Sequence, residues 1–239
     1  MRWQNFCAPD ATGSAASLRR PWSRARLVTV VVCFILMLSA AVSSATIEDD
    51  ALIGRLQHHY RTTDSFTAGF VETLTSPGGT PRQRTGKVSY RKPGMIRWEF
   101  DPPQPETIVA DGTTLYDYDR GLNQVVEMPE RNAFRDRAAA AFILGAGDLE
   151  RDYDGHTVGG SAPTGAVHLV LTPKGGGVPI ELAVDNKTLD IIKLSTADAL
   201  GNTTELRFSD IQRNVTLPTS GFAFTVPAGA DIVKAAPAH

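Results

Sequence analysis

The sequence predicts a mainly β domain with short helices, built on one large antiparallel sheet that curls toward a barrel. From Phe66 onward, about a dozen short runs alternate apolar and polar residues, as strands do when successive side chains point to opposite faces. Glycine, proline, asparagine and aspartate separate these runs, and these residues favour tight turns. Helical spacing is confined to two segments that lie far apart in the chain, so the sheet dominates the fold.

The first 45 residues have the features of a cleaved secretory signal peptide. Several arginines precede an uninterrupted apolar run from Leu27 to Leu38, and the small residues that end at Ala45 fit a cleavage site. The apolar run has 12 residues, whereas a helix needs about 20 to span a bilayer. We therefore expect residues 1–45 to be removed and residues 46–239 to form a single domain.

The composition after the leader narrows the function classes. Both cysteines, Cys7 and Cys33, precede Ala45, so the exported chain would contain neither a disulfide nor a reactive thiol. It would carry 19 basic and 25 acidic side chains, a net charge of about −6, with no cluster of lysine or arginine. This composition argues against nucleic-acid binding and against electrostatic docking on anionic lipid.

The chain after the leader begins with a predicted helix. Thr46 and Asp49 have the spacing of a capping box, which marks a helix start. The apolar residues that follow recur at helical spacing, and they are Leu52, Ile53, Leu56 and Tyr60.

Alternation and turn residues predict twelve strands after this helix. Their ranges are Phe66–Thr75, Gln83–Arg91, Met95–Phe100, Ile108–Ala110, Thr113–Asp119, Leu122–Met128, Leu149–Asp154, Ala166–Thr172, Pro179–Asp185, Leu189–Thr196, Thr203–Asp210 and Phe222–Val226. Between the sixth and seventh of them, the alanine-rich segment Arg131–Ala146 predicts a short helix that ends near Gly145 and Gly147.

The third predicted strand has one strongly apolar face. Ile96, Trp98 and Phe100 share it, and Trp98 is the only tryptophan after the leader. Two short helices are too few to cover so many strands. The uncovered sheet surface is then a barrel interior, a ligand cavity or an interaction surface, and the simpler alternative is an ordinary packed core.

Patterns typical of enzymes and metal sites are missing from the sequence. Gly86–Ser89 lacks the preceding glycine and the strand-to-helix setting of a phosphate loop. His58 and His59 are neighbours on a helix and cannot share a face, and a hairpin turn explains Asp117–Gly121 better than a calcium loop does. We expect no catalytic residue, cofactor or metal. A hydrolase would need a polar cluster with a perturbed base in the cavity, where we expect only apolar side chains.

Six segments recur in a specific order and spacing, namely Arg91–Phe100, Ile108–Asp119, Asn123–Val125, Leu171–Lys174, Asp198–Thr204 and Phe222–Gly229. Together they resemble the LolA family of periplasmic outer-membrane lipoprotein carriers. From the first of these segments to the last, and in the chain around them, the resemblance covers nearly all of the sequence after the leader. The resemblance implies an unclosed antiparallel β-barrel, or half-barrel, with an N-terminal helix and a helical lid over a concave apolar face. It implies no catalysis.

The resemblance also implies the residues of the site. The acyl-chain cavity would contain Leu52, Leu56, Ile96, Trp98, Phe100 and Leu115, and the lid would contain Phe142, Ile143 and Leu144. In the family, an arginine stands directly before the proline that corresponds to Pro93, and this arginine binds the backbone of the lid. Here Lys92 takes that place with Arg91 before it, and adjacent strand residues face opposite sides. We therefore expect a less firmly held lid.

The partners implied by the resemblance are triacylated lipoproteins, an inner-membrane ABC-type release complex and an outer-membrane acceptor. The protein would be an exported, soluble monomer in the periplasm that acts as a lipoprotein chaperone without a cofactor. A lipid-sensing or glycolipid-binding envelope module on the same half-barrel is the alternative.

Overall fold

A computed structural model describes residues 48–129, 147–159 and 162–235 of the chain. The strands in these ranges are β1 (Ser65–Thr75), β2 (Arg82–Arg91), β3 (Met95–Phe100), β4 (Glu106–Asp111), β5 (Thr114–Asp119), β6 (Gln124–Pro129), β7 (Tyr153–Val158), β8 (Ala166–Pro173), β9 (Ile180–Asp185), β10 (Ile191–Ala197), β11 (Thr203–Arg213) and β12 (Asp231–Lys234). The helices are α1 (residues 48–61) and α2 (Leu149–Asp152), and Thr219–Phe222 forms one 3₁₀ turn.

The described strands form one open sheet in the order β12-β6-β5-β4-β3-β2-β1-β11-β10-β9-β8-β7. Neighbouring strands are antiparallel except for β12, which pairs in parallel with β6. Within the described part of the chain, β7 and β12 are the edges and do not pair with each other. The predicted fold class, a mainly β protein with an unclosed antiparallel sheet, is confirmed.

Ten of the predicted strands agree with β1–β6 and β8–β11, with ends that differ by three residues at most. The agreement is good because these strands alternate in polarity and are joined by turns with strong local signals. One such turn joins β5 to β6. There the Asp119 carboxylate accepts hydrogen bonds from the backbone N–H groups of Gly121 (2.7 Å) and Leu122 (3.0 Å), which confirms the hairpin interpretation.

The segment predicted as a strand over Leu149–Asp154 is wrong in its first half. Asp148 caps a short helix, α2, because its side chain accepts a hydrogen bond from the backbone N–H of Arg151 at 3.0 Å. The strand starts only at Tyr153. The hydrogen bond between the Asp148 side chain and the helix backbone therefore outweighs the alternating pattern, and the segment begins as a helix.

The strand predicted at Phe222–Val226 is also wrong. Phe222 ends the 3₁₀ turn and is buried at 2% exposure, and the residues that follow it do not join the sheet until β12.

The last strand is β12, which lies outside every predicted strand. It lies beside β6, a strand about one hundred residues earlier, so no local pattern marks it.

Helix α1 packs on one half of the sheet. Its apolar stripe joins β7–β10 in one hydrophobic core. The buried members of that core are Ile53, Leu56, Tyr60, Leu149, Tyr153, Leu169, Leu171, Ile180, Leu182, Val184, Ile191 and Leu194. The approach is close at Gly155 of β7, where an added Cβ would lie 2.5 Å from Cδ1 of Ile53. Glycine therefore lets the helix lie against the edge strand.

Hydrogen bonds fix both ends of α1. The Asp49 carboxylate accepts a hydrogen bond from the backbone N–H of Thr157 in β7 at 2.9 Å. At the other end, the hydroxyls of Thr62 and Thr63 donate to the carbonyl oxygens of His58 (3.0 Å) and His59 (2.8 Å). Carbonyl groups in the last turn of a helix lack the usual helical partners, so these hydroxyls help to end the helix. Thr46, the first residue of the predicted capping box, lies outside the described residues.

The predicted leader, residues 1–45, and the predicted helix Arg131–Ala146 also lie outside the described residues. None of the helices within the described ranges combines the length and apolar character needed to cross a bilayer.

Candidate functional site

One face of β1–β5 carries almost only apolar side chains, and we call it the apolar face. Strand pairing aligns its residues across the sheet: Phe70 lies beside Gly86, which lies beside Phe100, and Val88 lies beside Trp98. Its members are Phe66, Ala68, Phe70, Val88, Tyr90, Ile96, Trp98, Phe100, Ile108, Ala110 and Leu115. The predicted sharing of one face by Ile96, Trp98 and Phe100 is thus confirmed.

Three aromatic rings of the apolar face pack together with a fourth from the neighbouring strand β11. The ring centroid of Phe70 lies 4.6 Å from that of Trp98 and 5.0 Å from that of Phe100, and Phe208 of β11 lies 6.3 Å from Trp98. Gly86 makes room for this arrangement, since a Cβ there would lie 2.7 Å from Cζ of Phe70. Phe100 is buried at 8% exposure, while Trp98 is only half-buried. Trp98 therefore presents aromatic surface that the described residues leave uncovered.

The apolar face and the surface under α1 are two halves of the same sheet face. Phe70 pairs with Phe208 across β1 and β11, and Leu206, two residues before Phe208, pairs with Leu194 across β11 and β10. Leu206 packs against both hydrophobic cores and marks the border between them. Helix α1 occupies the β7–β10 half.

The six residues predicted to line the cavity divide between these halves. Four of them belong to the apolar face or pack against its core, namely Ile96, Trp98, Phe100 and Leu115. Leu56 is fully buried in the core under α1, and Leu52 packs against that core. The structure therefore brings the first four together and places the two helix residues on the neighbouring half. Their contact with acyl chains stays a prediction, and the predicted lid residues Phe142, Ile143 and Leu144 lie outside the described residues.

Lys92 and Arg91 contact different segments, as their opposite orientation predicts. The Lys92 ammonium donates to the carbonyl oxygen of Arg61 at 2.6 Å and lies 3.4 Å from that of Tyr60, both at the C-terminal end of α1. A cation there also interacts favourably with the helix dipole. Arg91 donates to the carbonyl oxygen of Leu217 at 2.8 Å on the other side of the sheet. The resemblance implies that the residue at this position binds the backbone of the lid. Among the described residues, Lys92 also binds helix backbone, but the helix is α1.

A polar cluster centred on the buried residue Asp190 lies beside this helix end. Asp190 Oδ1 is 3.1 Å from His59 Nε2 and 2.9 Å from Arg213 Nε. Burial alone would raise the pKa of Asp190, but hydrogen bonds with His59 and Thr188, together with the charge of Arg213, outweigh burial and hold that pKa below its ordinary value. The cluster joins α1 to the residue before β10, which is Asp190, and to the last residue of β11, which is Arg213. His59 and Asp190 are 131 residues apart in the sequence, so no local pattern marks the pair.

Tyr60 completes the attachment of α1. Its hydroxyl oxygen accepts a hydrogen bond from the backbone N–H of Ile191 at 3.0 Å, and burial raises the pKa of Tyr60 well above its ordinary value. A cavity of about 20 Å³ separates this helix end from Phe66 and Ile211, which is room for about one water molecule.

A second polar cluster lies on the apolar face itself. Arg84 Nε and Nη2 lie 2.8 and 2.6 Å from Oε2 of Glu72, and Arg84 Nη1 lies 2.5 Å from Oε2 of Glu106. The guanidinium carbon stands 3.9 Å from the centroid of the Phe100 ring. Burial lowers the pKa of Arg84, but its bonds with the two carboxylates outweigh burial and raise that pKa. The expectation of only apolar side chains on this face is therefore wrong.

The hydroxyl of Thr63, which lines the same small cavity as Asp190, already has a hydrogen-bond partner. The hydroxyl of Thr63 donates to the backbone carbonyl of His59, so it does not serve as a nucleophile activated by that imidazole. Within the described ranges, no group of three or more His, Cys, Asp or Glu side chains could hold a metal ion.

Comparisons with known proteins agree on one family. The family model described as "Outer membrane lipoprotein carrier protein LolA" matches residues 61–225. A protein of Dechloromonas aromatica (strain RCB), named "Outer-membrane lipoprotein carrier protein", is 32% identical over 183 residues, which are 76% of this chain and 86% of that protein. A protein of the same name from Chromobacterium violaceum is 30% identical over 204 residues, covering 83% and 96% of the two chains.

A solved structure is similar in fold. The crystal structure of an uncharacterised conserved protein from Thermus thermophilus aligns with a TM-score of 0.51, covering 76% of this chain and 98% of that one. The two sequences are 14% identical, so the similarity describes the architecture alone.

Proposed function

Because the chain belongs to the outer membrane lipoprotein carrier protein LolA family, it is a lipoprotein carrier, and we propose that the acyl chains of its cargo bind on the apolar face. One observation supports this site above the others: four aromatic rings meet on the half of the sheet face that α1 does not occupy, and Trp98 among them is only half-buried.

The energetics of burial favour such a site. Each methylene group transferred from water to an apolar surface contributes about 0.8 kcal/mol, so one chain of about 16 carbons contributes more than 10 kcal/mol at full burial. A carrier that buried its cargo completely would release it too slowly. Partial cover of the chains by the protein is therefore suited to transport.

The proposed route of the cargo follows from the family. We propose that the leader is cut after Ala45, and that the exported monomer works in the periplasm. There it would receive triacylated lipoproteins from an inner-membrane ABC-type release complex and deliver them to an outer-membrane acceptor. We propose no catalytic step, since transport of this kind makes and breaks no covalent bond.

Depletion of the protein in its host tests this function. Outer-membrane lipoproteins should then accumulate in the inner membrane, as measured by membrane fractionation and immunoblotting. Re-expression of the wild-type chain should restore their sorting. Normal sorting after depletion would refute the proposal.

Recovery of the protein with its bound lipid distinguishes the alternative function. Mass spectrometry of the native protein from a periplasmic extract should detect triacylated lipoproteins, and Edman sequencing should give Thr46 as the first residue. Free glycolipid as the bound species would favour a lipid-sensing envelope module instead.

A further inference from the structure

We propose that Arg84, held between Glu72 and Glu106, binds the ester carbonyl groups of the cargo lipid and so fixes the polar end of the acyl chains on the apolar face. This inference rests on the proposed function, because it assigns the place of the lipid head relative to the chains. The cluster of Glu72, Arg84 and Glu106 is called the polar clamp below.

The polar clamp lies where the apolar face ends. Glu72 pairs with Arg84 across β1 and β2, and the next pair toward the centre of the strands that has the same orientation is Phe70 with Gly86. Glu106 begins β4, directly after the loop that follows Phe100. An acyl chain lying along the aromatic rings would therefore bring its linkage carbonyls close to Arg84.

Arg84 has donors to spare for such carbonyls. A guanidinium carries five N–H donors and accepts no hydrogen bond. Nε and Nη2 both point to one oxygen of Glu72, and Nη1 points to Glu106. These contacts with the described residues use one N–H on each terminal nitrogen and leave the second for a ligand. Two N–H groups in one plane suit the carbonyl oxygens of adjacent ester linkages.

The two carboxylates have a separate task in this arrangement. They orient the guanidinium, whose carbon lies 3.9 Å from the Phe100 centroid, and they fix its plane beside the aromatic surface. The clamp has two acids for one base, so it repels an anionic lipid group, while the remaining N–H groups of Arg84 donate to the carbonyl oxygens of a neutral ester. The clamp is thereby selective for esters over free fatty acids.

Stability alone does not account for charges at this position. Half-buried ion pairs lose much of their Coulomb energy to desolvation, and apolar residues of similar volume often replace them with no loss of stability. The apolar face beside the clamp already has a dense aromatic core. A role in cargo recognition explains why a charged cluster occupies the end of this face.

Two matched lipopeptides test the inference. One is a tripalmitoylated lipopeptide with two ester linkages, and the other carries ethers in place of these esters. Binding is followed by the fluorescence of Trp98. The wild-type protein should bind the ester form about tenfold more tightly, as expected for hydrogen bonds from a charged donor. A triple variant, Glu72→Gln with Arg84→Met and Glu106→Gln, should bind both forms equally, with its affinity for the ether form within about twofold of wild type.

A three-residue ionic cluster on the opposite face, with one carboxylate and two cations, provides the control. Glu205 lies 2.7 Å from Lys193 and 2.7 Å from Arg207, and these side chains point away from Leu206 and the apolar face. The variant Glu205→Gln with Arg207→Met should keep the full preference for the ester form. Arg84→Lys keeps the charge without the planar fork, so it should fold as wild type does and lose most of the preference.

The outcomes separate the two proposals. Equal binding of both lipopeptides by the wild-type protein, or an unchanged preference in the triple variant and in Arg84→Lys, would overturn the role of Arg84 while leaving the carrier function intact. Failure of the wild-type protein to bind either lipopeptide would instead overturn the apolar face as the cargo site, and the inference with it.

Discussion

Two neighbouring cations at the end of β2 hold different segments of the molecule. Lys92 binds the terminal carbonyls of α1, and Arg91 binds Leu217 on the opposite side of the sheet. An ammonium is a single point charge, whereas a guanidinium presents a planar fork of donors. Lys92 makes one short hydrogen bond, to Arg61, and a long one, to Tyr60. Lys92 therefore attaches the helix end through fewer short hydrogen bonds than an arginine could make.

Lys92→Arg should slow the release of cargo several-fold. The fork can donate to both carbonyls at the end of α1, so the helix beside the apolar face becomes harder to displace. The measurement is the rate at which a fluorescent triacylated lipopeptide passes from the protein to lipid vesicles. Lys87→Arg, at an exposed position of β2 on the opposite face, is the control and should release at the wild-type rate. An unchanged rate for Lys92→Arg would contradict this attachment.

Asp190→Asn should lower the free energy of unfolding at pH 7 by about 1–3 kcal/mol, because His59 and Arg213 lose a charged partner in a buried setting. The pKa of Asp190 is lowered in the folded protein, so its carboxylate stabilises the fold above the unfolded value of about 3.9. That contribution is lost as the pH falls through the folded pKa. The difference between wild type and variant should therefore shrink below about pH 4.

Urea unfolding between pH 3 and pH 7 measures this difference. Asp231→Asn, at an exposed position of β12, should match wild type across the range. A difference for Asp190→Asn that stays constant with pH would show that its ionisation does not stabilise the fold.

At the scale of elements, the segment after β11 covers the side of the sheet opposite the apolar face. Phe222 is buried at 2% exposure in a 3₁₀ turn that contacts β3 and β4. The Phe224 ring stacks on Tyr116 of β5 with centroids 5.1 Å apart. The chain then adds β12 beside β6, where Ile232 remains 51% exposed. This segment buries aromatic side chains on the opposite face of the sheet, so the apolar face does not have to supply the stability of the fold alone.

Phe222→Ala should lower the free energy of unfolding by about 3 kcal/mol, because it leaves a cavity where a fully packed ring was. Affinity for a triacylated lipopeptide should remain at the wild-type level under folding conditions, since the ring lies on the other side of the sheet. Chemical denaturation and Trp98 fluorescence measure the two quantities. Leu122→Ala, at a residue 71% exposed in the β5–β6 turn, should change neither. Wild-type stability in Phe222→Ala would contradict the packing of this segment.

At the scale of the whole molecule, the two faces of one sheet have different tasks. The sheet face toward α1 is shared between the helix, on β7–β10, and the apolar face of β1–β5. The other face is covered in part by the segment that follows β11. If cargo binds where we propose, this division lets the carrier expose apolar surface to its cargo while the rest of the molecule keeps it folded.

A pair of substitutions on opposite faces tests this division. Ile96 and Val109 are both buried, at 3% and 0% exposure, in the adjacent strands β3 and β4. Ile96 belongs to the apolar face, and Val109 pairs with Arg97 on the other face. Ile96→Thr and Val109→Thr should each destabilise the fold by about 1–2 kcal/mol, but only Ile96→Thr should weaken lipopeptide binding, by several-fold. Equal effects on binding would contradict the assignment of the apolar face.

Most strands were predictable because their signals are local. The turn signals at Pro93–Gly94 and Asp111–Gly112 mark the start of β3 and the end of β4, and alternation gives the face of each side chain. Prediction failed at α2, where the cap by Asp148 outweighs alternation, and at β12, whose partner β6 is remote in sequence. Among the site residues, too, local features were predictable and long-range ones were not. The shared face of Ile96 and Trp98 was predictable, and the separation of Leu56 from it was not.

The sequence by itself determined the mainly β fold, the apolar face of β3 and the opposite orientation of Arg91 and Lys92. Each follows from the two-residue period of a strand, which acts between neighbours in the chain. Only the tertiary structure decided that α1 occupies the β7–β10 half of the sheet, that Lys92 binds the end of α1, and that Arg84 joins Glu72 to Glu106 at the end of the apolar face. These contacts depend on the order of strands in the sheet, which arises from packing between distant segments and leaves no local pattern.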